Sequence, residues 1–223
     1  MRLEGMIFDL DGTLGNTLPV CYVAFREALL TYTGREYADA EIDALFGPSE
    51  EGIVRRVAPR QWRECLEAYL AAYERHHDLA PHPFPGIAEA LDTFKQRGLR
   101  LGLVTGKGPR GAAISLRRLG LADAFEMIEV GSPEGAVKPD AIRRILARWG
   151  MAPERAAYVG DTAYDVEAAR EAWVIPLAAA WAPTARRDEL LAAQPTACFT
   201  DVTQLVAWVA ASASGDDRQR VRG

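Results

Sequence analysis

Apolar residues run without a break through Met6-Ile7-Phe8, stop at two carboxylates, Asp9 and Asp11, and then recur at helical spacing as far as His82. An unbroken apolar run predicts a strand buried on both faces of a parallel sheet, and recurrence every three or four positions predicts a helix. Helices are expected over 18–32, stopped by Gly34, over 39–46, from Ser49 as N-cap through Val57 with Glu50 and Glu51 in its first turn, and over 60–77. No strand pattern interrupts them. His82-Pro83-Phe84-Pro85-Gly86 then punctuates the chain as a domain boundary does.

From Ile87 the period alternates. Helices over 87–97, 109–119, 140–149, 163–172 and 202–211 are interleaved with strands over 100–105, 125–130, 156–160, 174–178 and a short edge strand over 196–199. Such alternation predicts an α/β fold, a Rossmann-like parallel sheet with helices on both faces. Residues 1–15 and 84–212 would form this core, 16–83 an inserted all-helical domain, and 213–223, which lack apolar periodicity, a disordered tail.

Composition narrows the setting. The 223 residues suit one core with a smaller insertion, and 49% hydrophobic with 26% charged residues is ordinary for a soluble protein. A net charge of −5 argues against nucleic acid as the main partner. Cys21, Cys65 and Cys198 are widely spaced and odd in number, as in a reduced, cytoplasmic protein. No stretch predicts a secretory signal or a membrane span, so a soluble cytoplasmic protein is expected. Oligomeric state has no signature.

The chemistry lies at the strand ends. In an open α/β sheet, ligands bind beyond the carboxyl ends of the strands, and Gly12 lets the backbone turn sharply there. Asp9 and Asp11 repel each other unless a cation joins them, and a hard ion such as Mg²⁺ takes oxygen ligands. The other strands deliver Thr105-Gly106-Lys107, then Lys138-Pro139 before a helix, then Gly160-Asp161 with Asp165 four residues on. In a parallel sheet these loops converge, grouping four carboxylates, a hydroxyl and an ammonium. That set suits phosphoryl transfer, in which donors and cations spread the developing charge.

In the order Asp9-Leu-Asp11-Gly-Thr13, Thr105, Lys138-Pro139 and Gly160-Asp161-x-x-x-Asp165, the chain resembles haloacid dehalogenase superfamily phosphatases, and among them the phosphoglycolate phosphatase-like group. The likeness spans nearly all of 3–210, with the helical insertion in the place of a C1-type cap. It implies an Mg²⁺-dependent phosphomonoester hydrolase acting on a small phosphorylated metabolite. Asp9 would be the nucleophile that becomes an aspartyl-phosphate, and Asp11 the acid and base. Thr105, Gly106 and Lys138 would hold the phosphate. Asp9, the Asp11 carbonyl and Asp161 would bind Mg²⁺, with Asp165 ordering Lys138 or the metal's waters. Asn16 stands where many relatives carry Asp, and Gly106 where many carry Asn.

Rivals share the fold. A dehalogenase has no need of Asp11, and a phosphonoacetaldehyde hydrolase needs a cap lysine, absent from 16–83. A β-phosphoglucomutase-like mutase and a non-catalytic binding protein are the remaining alternatives. Pro48 and Ser49, in the break Gly47-Pro48-Ser49, are candidates for a cap loop reaching the pocket. His76, His77, Asp78 and His82 suggest a second metal site, but adjacent histidines do not share a helix face, and a polar helix end is the better reading. Trp62, Tyr69 and Tyr73 at helical spacing read as cap core.

Overall fold

The structure is a computed structural model describing residues 3–214. The first strand, β1 (Gly5–Phe8), is buried at every residue because it lies inside the sheet, paired on both sides. Its neighbours are β2 (Arg100–Val104) and β4 (Ala156–Gly160). Outside these lie β3 (Met127–Glu129), β5 (Ile175–Ala179) and β6 (Ala197–Phe199), giving six parallel strands in the order β3-β2-β1-β4-β5-β6. The chain runs outward from β1 through β2 to β3, then crosses back to β4. The order reverses between β1 and β4, where an open α/β sheet leaves its ligand crevice.

Between β1 and β2 lie α1 (Leu18–Thr33), α2 (Asp39–Asp43), α3 (Glu50–Val57) and α4 (Trp62–Arg75). They enclose a hydrophobic cluster of their own, which includes Val20, Phe25, Ile53, Tyr69 and Tyr73. The remaining helices are α5 (Ile87–Gln96), α6 (Pro109–Arg118), α7 (Lys138–Trp149), α8 (Ala163–Glu171), α9 (Arg187–Ala192) and α10 (Val202–Ser214). They cover both faces of the sheet. Successive residues of β1 point to opposite faces. Met6 and Phe8 therefore pack with Leu91, Phe94, Leu116 and Leu205, while Ile7 packs with Ile142, Ile145 and Tyr158 on the other side. Ile114 of α6 belongs to the insert's cluster, and Tyr73 and Ser115 share a buried 2.7 Å hydrogen bond, so α4 is seated on a core helix.

Several local expectations need correction. β3 is only Met127–Glu129 rather than 125–130, because this edge strand is half-exposed and pairs on one side. α4 stops at Arg75, and His77–Leu79 forms a 3-10 turn. α7 begins at Lys138 rather than Asp140, with Pro139 tolerated in the first turn. Ser49 holds the N-cap position of α3, yet its side chain makes no capping bond; its N–H donates to Ser132 O at 2.8 Å. The helix over 187–192 was not expected, since Leu190 is its one buried residue and leaves no periodicity to read. α10 continues through Ser214, into the segment expected to be a tail; 215–223 lie outside the described residues.

Candidate active site

The loops after β1, β2 and β4 and the start of α7 meet at one end of the sheet. Asp9 follows β1 directly, its N–H donating to Val159 O at 2.9 Å, so the sheet ladder fixes the base of this side chain. Lys138 Nζ, at the first turn of α7, stands 3.1 Å from Asp9 Oδ1 and 2.6 Å from Asp165 Oδ1. Burial alone would favour a neutral lysine, but Asp165 and Asp9 outweigh it and hold Lys138 firmly charged.

Asp165 has its acceptor capacity taken up. Lys138 and Tyr158 OH (3.1 Å) donate to Oδ1, and Thr162 donates to Oδ2 through Oγ1 (2.6 Å) and N–H (3.1 Å). Burial raises its pKa, yet Lys138 and these donors overcome that and hold the carboxyl below its ordinary range. Thr162, not Asp161, caps α8. Asp161 is therefore free of the helix end and accepts one bond, from Thr13 Oγ1 at 3.2 Å. Burial, then Asp165 and Asp9, push its pKa well up.

Asp9 is pushed up to about 7, chiefly by burial, with Lys138 opposing and Asp165 and Asp11 adding to it. Its Oδ1 has no aligned donor; the lysine is close enough to attract it without making a well-formed hydrogen bond. Asp9, Asp161 and Asp165 present oxygens within 4.8 Å of one another, the one cluster among the described residues able to hold a metal. Two acids destabilised by burial and mutual repulsion, one with an unpartnered oxygen, fit a hard divalent cation. Gly12 makes the approach possible: at φ +75° it turns the chain, and a Cβ there would come 2.0 Å from Asp161 Oδ2.

Asp11 faces the other way. Thr17 Oγ1 donates to its Oδ1 at 2.5 Å, and Lys107 Nζ lies 3.2 Å from the same atom. Lys107 is buried, 4.3 Å over the Tyr73 ring and 3.0 Å from Cys21 Sγ. Burial works against its charge, but chiefly Asp11 more than restores it. Burial lifts the Cys21 thiol to about 11, so it stays protonated. Thr105 is buried and accepts from Lys107 N–H at 3.2 Å. The loops carrying Gly106 and Gly131 press together, Gly131 N–H donating to Lys107 O at 2.7 Å.

A cavity of about 490 Å³ lies between these loops and the insert, lined by Asp9, Asp11, Gly106, Lys107, Lys138 and Asp161 on one side. Pro48 lines it from the insert; Ser49 is buried but is not among the lining residues. The histidines form no metal cluster among the described residues: His76 Nε2 meets Glu27 at 3.1 Å, and His77 packs edge-on against Tyr73. Tyr69 and Tyr73 do lie in the insert's core, though Tyr69 also reaches the cavity.

Lys107, Thr17 and Glu50 were given no role in the site from the sequence. Glu50 reads there as a first-turn helix acid, but it is buried, and Gly108 N–H donates to its Oε2 at 2.5 Å. The one available signal was scarcity: Lys107 is among three lysines in a chain otherwise basic through arginine.

A family model described as "Haloacid dehalogenase-like hydrolase" matches residues 6–179. A phosphoglycolate phosphatase from Synechococcus elongatus is 33% identical over 197 residues, covering 86% of this chain and 91% of that protein. The pyrophosphatase PpaX from Bacillus cereus is 26% identical over 183 residues, covering 81% and 85%. Among solved structures, a haloacid dehalogenase-like family hydrolase from Streptococcus pneumoniae superposes with a TM-score of 0.74 at 28% identity, covering 92% of this chain and 98% of that one.

Proposed function

The chain belongs to the haloacid dehalogenase-like hydrolase family, and within it we propose a Mg²⁺-dependent phosphomonoesterase that works through an aspartyl-phosphate on Asp9. The observation that carries this reading is the bridging lysine: Lys138 lies between Asp9 and the saturated Asp165, with Asp161 beside Asp9. Asp165 fixes the lysine, and the lysine draws Asp9 toward its ionised, nucleophilic form.

A dianionic phosphate would meet Lys138 and the Gly106 turn. An Asp9 oxygen attacks phosphorus in line as the bond to the leaving oxygen breaks, and Asp11 gives that oxygen its proton. Asp11, now ionised and held by Thr17 and Lys107, takes a proton from the water that attacks the phosphoenzyme. Phosphate leaves and Asp9 is restored. Mg²⁺, when bound by Asp9, Asp161 and the Asp11 carbonyl, supplies charge neutralisation for the phosphoryl oxygens. Residues 16–83 serve as a cap, whose helices exclude water and select the alcohol half of a small phosphorylated metabolite.

Rapid acid quench with a ³²P-labelled monoester tests the reading. Label should become attached to the protein at Asp9 and be lost in Asp9→Asn. Steady phosphate release without a trapped phosphoenzyme, or turnover undiminished after metal stripping and excess EDTA, would overturn it.

A further inference from the structure

The insert side of the cavity differs in character from the phosphate side. Leu18, Phe25, Phe46 and Ile53 give it a hydrocarbon surface. Into that surface are set the Tyr69 hydroxyl and the Glu50 carboxyl, both buried, with Tyr69 OH and Glu50 Oε1 lacking any hydrogen-bond partner. Burying such atoms unpaired is costly, and where they line a cavity a ligand can supply the missing partner.

Charge points the same way. The cations among the lining residues are Lys107 and Lys138, and both are committed, to Asp11 and to Asp9 with Asp165. Against these two stand four lining acids: Asp9, Asp11, Glu50 and Asp161. A phosphoryl dianion takes the metal and Lys138. A second anion on the leaving group would then meet Glu50 and an apolar wall with no free cation.

We infer that the preferred substrate is a monoester whose alcohol half is uncharged or cationic, chiefly hydrocarbon and of aromatic-ring size, and carries a hydrogen-bond donor that engages Tyr69 and Glu50. This rests on the phosphatase reading and separates the chain from relatives named for phosphoglycolate and pyrophosphate, whose leaving groups are anionic. Tyr69 and Glu50 are specificity residues, set on α4 and α3 of the insert. Glu50 is held in place by Gly108 N–H, and Gly111 leaves room for it, since a Cβ there would lie 2.1 Å from Oε1.

The test is kcat/KM of the full chain with Mg²⁺ on 4-hydroxyphenethyl phosphate, phenethyl phosphate, 2-aminoethyl phosphate, 2-phosphoglycolate and pyrophosphate, with p-nitrophenyl phosphate as reference. The hydroxylated aryl ester should exceed phosphoglycolate and pyrophosphate by about tenfold or more. Tyr69→Phe should lower the hydroxylated ester by about tenfold more than it lowers phenethyl phosphate, the loss of one hydrogen bond. Glu50→Gln should narrow the gap between the aryl esters and phosphoglycolate; melting curves check that both variants fold. Preference for phosphoglycolate, pyrophosphate or the small aminoethyl ester, with p-nitrophenyl phosphate still hydrolysed, overturns this inference alone. Inertness toward every ester overturns it together with the phosphatase reading. Equal losses on both aryl esters in Tyr69→Phe would show a merely structural tyrosine and overturn its assignment.

Discussion

A methyl group on Gly12 would stand 2.0 Å from Asp161 Oδ2. The loop after β1 and the loop after β4 touch here with no side chain between them, and φ of +75° adds its own penalty for any L-residue, about 1–2 kcal/mol. Gly12→Ala should abolish Mg²⁺ binding measured by calorimetry and reduce kcat by at least about a hundredfold, the scale of losses from small misplacements at a reacting centre. Normal metal affinity in that variant would show that Asp161 can withdraw without loss, contrary to the proposed ligand role.

The acids flanking Leu10 should separate by leaving group. Asp9→Asn should be inactive on all esters. Asp11→Asn should give a burst of nitrophenol from p-nitrophenyl phosphate and then stall as phosphoenzyme, while alkyl phosphates, whose leaving oxygen needs a proton, should fail at the first step. Wild-type steady turnover of an alkyl ester by Asp11→Asn would remove it as the acid and base.

Much of the fold was readable from residue order. Alternating periods place the strands because burial on both faces leaves β1, β2 and β4 few polar choices, and the acids beyond them are conspicuous against that background. Lys107 and Glu50 were hidden for a physical reason. Each is a charged residue at an exposed-looking loop or helix start, and only the docking of the insert on α6 buries them. The six-residue α9 was hidden because its one buried side chain, Leu190, carries no period.

Acidity of the site should register in stability. Burial pushes Asp9 up to about 7 in the folded chain, against 3.8 as its ordinary value. Between these pH values the folded state holds a proton that the unfolded state has released, so this group's contribution falls as pH rises from about 4 to 7 and stays low above. In EDTA, the Tm of Asp9→Asn minus that of wild type should grow from pH 5 to pH 8, by an amount worth on the order of a few kcal/mol. Adding Mg²⁺ to wild type should raise Tm more at pH 8 than at pH 5. A difference independent of pH would exclude the proposed strain at Asp9.

Lys107 and Asp11 form a partly buried pair, the lysine 5% and the aspartate 17% exposed. Lys107→Met should destabilise by about 2–3 kcal/mol in urea titration, below the full cost of a wholly buried orphan because Asp11 keeps some water. Lys107→Met combined with Asp11→Asn should recover part of that loss. Simple additivity in this cycle would show that the two do not interact.

Leu205 and Val209 of α10 lie in the core, and the helix is described through Ser214. Removing 215–223 should leave Tm and activity unchanged, and removing everything from Val202 should prevent folding. A large Tm loss from the shorter deletion, read by calorimetry, would show that the terminal segment docks.

The central position of β1 has a consequence for synthesis. Gly5 aligns with Arg100 on one side and Ala156 on the other, so β1, made before either neighbour, has no partner until β2 and then β4 have been made. Meanwhile the intervening helices can begin to collapse on their own cluster, completed when Ile114 arrives. Distant strand pairing of this kind is slow and leaves apolar edge surface open to association. Nascent chains arrested before β4 should therefore aggregate or recruit chaperones, while those extended past β6 should resist proteolysis. In this molecule the order of translation, as much as the final packing, decides when the strand that carries Asp9 at its end becomes safe in water.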